Sequence, residues 1–184
     1  MSERVPVLVL ENVSVRASPT SAEYRAAVGL FATGITVVTA NAVGLEHGMT
    51  LNAFASVSLD PLLVLVCVER DAVMHKALEE AGSFALSVLA GDQEPIARYF
   101  ADSGRPAGAA QFAELGYRLG AATGAPLLDG ALAWLECEVE QTYDGGDHSI
   151  FLGRVLAVER GEVREPLLYF GGAYRRPGDG RPAA

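Results

Sequence analysis

Hydrophobic and polar positions alternate with a period of two along residues 133–141. Ala133, Leu135, Cys137 and Val139 form one set, and Trp134, Glu136, Glu138 and Glu140 the other. Strict alternation sends successive side chains to opposite faces of a sheet, so this segment predicts a half-buried antiparallel strand with its three carboxylates on the wet face. Asp144, Gly145, Gly146 and Asp147 supply a turn, residues 150–158 resume strand character, and the pair predicts a hairpin. Upstream, β-branched residues dominate 35–40, and a turn over 41–44 leads to a second strand around 49–53. Residues 62–68 are a continuous apolar run after Asp60 and Pro61, as expected of a strand buried on both faces. Strand character returns at 84–89 and 167–170. Helical spacing is rarer. Thr20 with Glu23 three positions on is a capping-box pattern, Tyr24, Val28 and Phe31 follow at helical intervals, and Gly34 is the expected terminator. Further helices are expected through Met74, Ala77 and Leu78, ending near Gly82, and over 93–101, where Asp92 suits a helix start. Residues 103–110 read as a loop of small residues.

Roughly eight or nine strands with two or three short helices, in no βαβ alternation, favour a closed or nearly closed antiparallel barrel over a doubly wound sheet. One domain over 20–175 is expected. Residues 1–19 form an arm whose apolar stretch could add a strand or contact a second copy, and 176–184 form a polar tail. A chain of 184 residues, 50% hydrophobic and 20% charged, can bury a sizeable core and lacks the composition of a disordered chain.

The net charge of −9 and the absence of a basic stripe, with Lys76 the one lysine, argue against nucleic acid as a partner. No apolar run approaches the ~20 residues that span a bilayer, and the apolar stretch near the start is too short for a secretory signal, so a cytoplasmic protein is expected. Cys67 and Cys137, far apart in apolar runs, read as two buried thiols. Phosphate-binding and dinucleotide glycine loops are missing, as is a nucleophile elbow, and His47, His75 and His148 have no metal-ligand spacing. What remains is a concentration of small and hydroxyl residues: Thr33, Gly34, Thr50, Asn52, Ala53, Ser56 and Ser58. Small side chains let a ligand approach the backbone, whose N–H groups suit a phosphate or the polar edge of a planar heterocycle.

Five ordered blocks, FATGITVVTA (31–40), HGMTLNAFASVSLDPLLVLVCV (47–68), GSFALSVLA (82–90), YDGGDHSIFLGRV (143–155) and PLLYFGGAY (166–174), closely resemble the flavin reductase family. The resemblance covers residues 24–174. It implies a mainly β, antiparallel FMN-binding-type split barrel of Greek-key topology and an NAD(P)H:flavin oxidoreductase. Its cofactors would be FAD or FMN with NADH favoured over NADPH, its assembly a homodimer, and its partner a separate flavin-dependent monooxygenase receiving reduced flavin. A flavin-binding sensor or electron-transfer protein of the same fold is the alternative. By resemblance, Thr33 and Gly34 lie near the flavin, Thr50, Leu51, Asn52 and Ala53 meet the isoalloxazine edge, and Ser56, Val57 and Ser58 hold the ribityl and phosphate part. Phe84 and Tyr174, inside matched blocks, join this cofactor-binding set. Gly146, Asp147 and His148 match the segment associated with the nicotinamide, with His148 as the catalytic-site residue nearest to it.

The chain departs from the family's pattern at Glu69, Arg70, Asp71, Ala72 and Val73, where relatives carry a small polar run. Arg70 or Lys76 would supply the compensating charge toward phosphate. Ser87 stands where many relatives have Asn. Hydride transfer needs stacked rings with the donor carbon about 3 to 3.5 Å from the acceptor, and the flavin performs the chemistry. The missing triad of acid, base and nucleophile is then consistent with function.

Overall fold

A computed structural model describes residues 18–42 and 45–178. The arm, apart from its last two residues, and the end of the tail lie outside the described residues. The first helix, α1 (Ser21–Val28), starts at the capping box: Glu23 N donates to Thr20 Oγ1 at 3.2 Å and Thr20 N to Glu23 Oε2 at 2.8 Å. It stops at Gly29, whose N–H bonds the Arg25 carbonyl, five residues before the expected terminator. Gly34 is instead taken up by β1 (Thr33–Gly34), where it pairs with Leu168. Helix α1 buries none of its residues.

Strands β2 (Thr36–Ala42), β3 (Leu45–Leu51), β4 (Phe54–Leu59) and β5 (Leu62–Glu69) follow, then helix α2 (Val73–Ala81) and β6 (Ser83–Val88). Helix α2 closes on Gly82, whose φ of +62° satisfies the left-handed terminator read from the sequence. Helix α3 (Glu94–Ala101) is entered through a 3₁₀ turn over Gly91–Gln93, so the expected single helix from residue 93 begins one residue later. The short strands β7 (Tyr117–Leu119) and β8 (Pro126–Leu128) precede the long hairpin β9 (Ala133–Gly145) and β10 (His148–Arg160), and β11 (Leu168–Phe170) and β12 (Ala173–Arg175) end the fold.

Seven strands form one antiparallel sheet in the order β3-β2-β6-β9-β10-β5-β4, flanked by a three-stranded sheet β1-β11-β12 and the β7-β8 pair. Among the described residues no pairing joins β3 to β4. The barrel is split there, and the two-residue link Asn52 and Ala53 crosses the gap. Strand β11 answers the strand expected at 167–170, whereas β1, β7, β8 and β12 are only two or three residues long, too short for periodicity to show, and take the strand count above the sequence expectation.

Strand β2 divides the core. Val38 and Ala40 pack with Val66, Leu78, Phe84 and Phe151 in one cluster; Val37, with Ile35 just before the strand, packs with Leu89, Phe100, Phe112 and Leu167 in the other. Its two buried hydroxyls are satisfied, Thr36 Oγ1 by the Leu51 carbonyl at 3.0 Å and Thr39 Oγ1 by that of Pro126 at 2.6 Å. Strand β5 corrects the two-face expectation: Val64, Val66 and Val68 are buried, whereas Leu63, Leu65 and Cys67 are only half covered. Cys137 is buried, and neither thiol is in a disulfide.

The wet carboxylate row is also corrected. Glu138 and Glu140 are exposed and face Arg154, but Glu136 is buried. Its Oε2 accepts from Ala122 N at 2.9 Å, Thr123 N at 2.8 Å and Thr123 Oγ1 at 2.9 Å, so the turn before β8 folds over it.

Candidate functional site

At the split, two cavities meet at Thr50 and Ala101. The larger, about 490 Å³, is walled by His47, Met49 and Thr50 of β3, by Phe100, Ser103 and Arg105, and by Glu69, Asp71 and Ala72 ahead of α2. The smaller, about 200 Å³, lies among Ile35, Leu51, Asn52, Tyr169 and Tyr174. Thr50 Oγ1 donates to the Ala97 carbonyl at 2.8 Å, which ties α3 to β3. Asn52 Nδ2 donates to Thr33 Oγ1 at 3.2 Å and keeps its amide oxygen for a ligand donor. Tyr169 and Tyr174 meet edge to face at 5.7 Å between ring centres, and Arg98 lies 5.0 Å from the centre of the Tyr174 ring. Burial pushes the Tyr174 phenol above its ordinary range.

A polar cluster supports the larger cavity. Arg105 Nη2 donates to His47 Nε2 at 2.9 Å and also to the Gly48 carbonyl. Gln111 Oε1 accepts from Gly48 N at 2.8 Å while its amide nitrogen donates to the Glu46 and Gly108 carbonyls at 3.0 and 2.9 Å. An arginine can only donate, so His47 Nε2 is held as an acceptor. Burial, and then the neighbouring Arg105 charge, lower the His47 pKa from 6.5 to about 4. Gly48 leaves room for the Phe100 ring: a Cβ there would stand 2.5 Å from Phe100 Cε1.

The β9–β10 hairpin tip stands beside this cavity, because His148 pairs with Glu69 at its rim. The loop is Gly146 and Asp147, closed by the Gly145 and His148 pair, and its first position has φ +82°, which favours glycine. His148 Nδ1 lies 2.8 Å from Asp147 Oδ1, and that hydrogen bond and the imidazole charge hold the Asp147 carboxyl below its ordinary value. A carboxylate only accepts, so Nδ1 carries the hydrogen, and Nε2 is the nitrogen left to face a ligand.

Of the residues singled out in the sequence, Thr50, Leu51, Asn52 and Tyr174 line the cavities directly, Thr33 is bonded to Asn52, and Gly34 and Ala53 adjoin them. Ser56, Val57 and Ser58 lie farther along β4, outside both linings, and Ser58 Oγ accepts from Asp60 N at 3.2 Å. Phe84 is a correction: it is wholly enclosed in the core, with its ring over Gly153, and reaches neither cavity. Lys76 is also away from both cavities. It stands on the exposed side of α2, paired with Glu80 at 3.4 Å, and does not line the cleft. Arg70 is turned to the hairpin, where Nε donates to the Gly146 carbonyl at 3.0 Å and Nη2 to Asp144 Oδ1 at 2.8 Å.

Sequence reasoning missed His47, Phe100, Ala101, Arg105 and Tyr169. The signal for Arg105 was present, since it is the one cation in an otherwise small-residue loop. Among the described residues no cluster of His, Cys, Asp and Glu could hold a metal ion, and no helix is long and apolar enough to cross a membrane.

The larger cavity lies within the ~300–1,000 Å³ typical of small-molecule sites, and the smaller aromatic cavity adjoins it at Thr50 and Ala101. Asn52, the Thr50 wall and small Ala101 and Ala53 fit a planar heterocycle with a polar edge. Comparison with known proteins gives the same direction. The chain is 51% identical over 155 residues to an NADH-dependent FAD reductase of Streptomyces globisporus, covering 84% of each. Its fold matches the crystal structure of BorF, the flavin reductase component of a bacterial two-component tryptophan halogenase. The TM-score is 0.83 and the identity 51%, over 88% of this chain and 100% of that one. It also matches the Streptomyces globisporus NADH:FAD oxidoreductase SgcE6 in complex with NAD and FAD fragments, with TM-score 0.79 and 46% identity over 86% and 94% of the two chains. With the flavin reductase like domain matched across residues 28–178, nearly all of the split barrel and both cavities included, the chain belongs to that family.

Proposed function

We propose that this protein is an NAD(P)H-dependent flavin reductase that delivers reduced FAD or FMN to a separate flavin-dependent monooxygenase. The observation that carries the reading is the cleft at the split of the barrel, with small and hydroxyl side chains on its walls and the His148 tip at its rim. A bound flavin supplies the hydride-accepting chemistry. Asn52, Thr50 and the backbone around Ala53 orient the ring edge, Thr33 fixes Asn52, and Tyr174 with Tyr169 closes the apolar end. His148 Nε2 accepts from the carboxamide of the nicotinamide, and Asp147 sets its tautomer. The side chains are small and the contacts non-covalent, which suits a flavin that must leave after reduction.

We further propose a homodimer in the cytoplasm. Helix α1 and the turn after it expose Tyr24, Val28, Leu30 and Phe31, and edge strand β4 exposes Val57 and Leu59, an apolar surface that a second copy would cover. Free Cys67 and Cys137 suit a reducing compartment.

Purified protein is expected to oxidise NADH, followed by absorbance, only when FAD or FMN is added. NADH consumption without flavin, or none with either flavin, refutes the activity, and a monomer by light scattering at micromolar concentration refutes the dimer.

A further inference from the structure

We propose that Arg70, from outside, and the buried His75 and Ser149 pair, from inside, form a clamp that positions His148 for the nicotinamide. This rests on the reading of His148 given above. The outer half belongs to Arg70. Its Nε donates to the Gly146 carbonyl at 3.0 Å and its Nη2 to Asp144 Oδ1 at 2.8 Å, while its own backbone N–H bonds the Asp147 carbonyl at 3.0 Å. Asp144 Oδ1 accepts from Gly146 N as well, at 2.9 Å, so the guanidinium and one carboxylate hold both polar backbone groups of Gly146, while the Arg70 main chain holds Asp147. Each bond is exposed and weak alone; together they leave the tip one orientation.

The inner half comes from α2. His75 Nε2 lies 2.8 Å from Ser149 Oγ, both residues are buried, and the His75 ring meets Phe151 edge to face at 5.1 Å. On its other side His75 Nδ1 faces Glu79 Oε2 at 3.5 Å. Ser149 is the residue after His148, and in a strand neighbours point to opposite faces. Pinning Ser149 inward therefore aims His148 outward toward the cavity rim. The one basic residue within the departure at 69–73 is thus used for tip geometry, and Arg70 acts through His148 as a positioning residue.

The test uses the full chain with Arg70→Ala, Arg70→Lys, Ser149→Ala, His148→Ala and the Arg70→Ala/His148→Ala double variant. Measured are KM for NADH, kcat, flavin Kd by fluorescence quenching, and melting temperature. Arg70→Ala is expected to raise KM for NADH about tenfold with flavin Kd changed less than about twofold. In the His148→Ala background its further effect should fall below about twofold, because coupled residues are not additive. Arg70→Lys should not rescue, since an ammonium cannot reproduce the two-directional fork. Ser149→Ala, which removes the inner contact and leaves Arg70 in place, should raise the same KM about threefold, with the melting temperature measured beside it because His75 Nε2 loses its buried partner. If His148→Ala leaves KM for NADH unchanged, the reading of His148 fails and the clamp with it. If His148→Ala raises KM but Arg70→Ala does not, or acts additively, or weakens flavin instead, the clamp alone is overturned.

Discussion

Asn52 Nδ2 donates to Thr33 Oγ1 across 3.2 Å, tying the link that crosses the split of the barrel to the first strand of the small flanking sheet. The bond is exposed, so its value for stability is small, but it sets the direction in which the Asn52 amide oxygen points. Asn52→Ala is expected to weaken flavin binding about five- to tenfold, the loss of about 1 kcal/mol of hydrogen bonding, with little change in melting temperature. Titration by flavin fluorescence checks this; Thr33→Ala should give a smaller effect of the same sign.

Burial of His47, with the Arg105 charge beside it, makes stability depend on pH. His47 is depressed from 6.5 to about 4 in the folded state, so the unfolded chain binds more protons between these values and stability rises with pH there. The contribution is complete above about pH 6.5 and is lost as pH falls toward 4. With solvent screening it is expected to be about 1–3 kcal/mol for the single group. Urea midpoints measured from pH 4 to 7 should show this slope. His47→Gln should flatten it, because a neutral amide can still accept from Arg105.

Glu136 is buried and its Oε2 takes three donors from Ala122 and Thr123. Glu136→Ala leaves those donors unpaired and is expected to cost about 2–3 kcal/mol by urea unfolding. Glu136→Gln, which keeps one acceptor oxygen, should cost less. An Ala variant as stable as the parent would refute the assignment of this carboxylate to folding of the turn.

Phe84 and Gly153 pack as a pair. A Cβ at Gly153 would lie 2.5 Å from Phe84 Cζ and 3.1 Å from Cys137 Cβ, so Gly153→Ala should destabilise by about 1–3 kcal/mol. Adding Phe84→Leu should recover part of the loss. The same variants, assayed for flavin Kd once folded, should differ from the parent by less than about twofold, since Phe84 reaches neither cavity.

The long hairpin was legible because thirteen-residue strands give periodicity room to show, and the capping box at Thr20 and Glu23 because both partners lie within one helical turn. The strands that build the aromatic end of the cleft were harder. β12 has three residues and no pattern of its own, so Tyr174 could be placed only by resemblance and Tyr169 was not singled out at all. Glu136 shows the limit of alternation. Its position on the strand was read correctly, but its burial depends on a turn over residues 119–124, which no periodicity announces. His47 and Arg105 meet across 58 positions of sequence, and nothing local marks such a pairing. Arg70 carried a charge visible from the start, yet its direction was decided by the hairpin tip.

Strand β2, with one core cluster on either side, has greasy neighbours wherever it looks, so hydrophobicity by itself would tolerate it sliding along its neighbours. Thr36 and Thr39 forbid that: they sit on opposite faces, and each hydroxyl has a single carbonyl to meet. A shift by one residue would exchange the faces and strand both hydroxyls in oil. Two polar atoms thereby act as an index mark for the whole barrel, and the alignment of β2 with β3, on which the mouth of the cleft depends, is keyed by them.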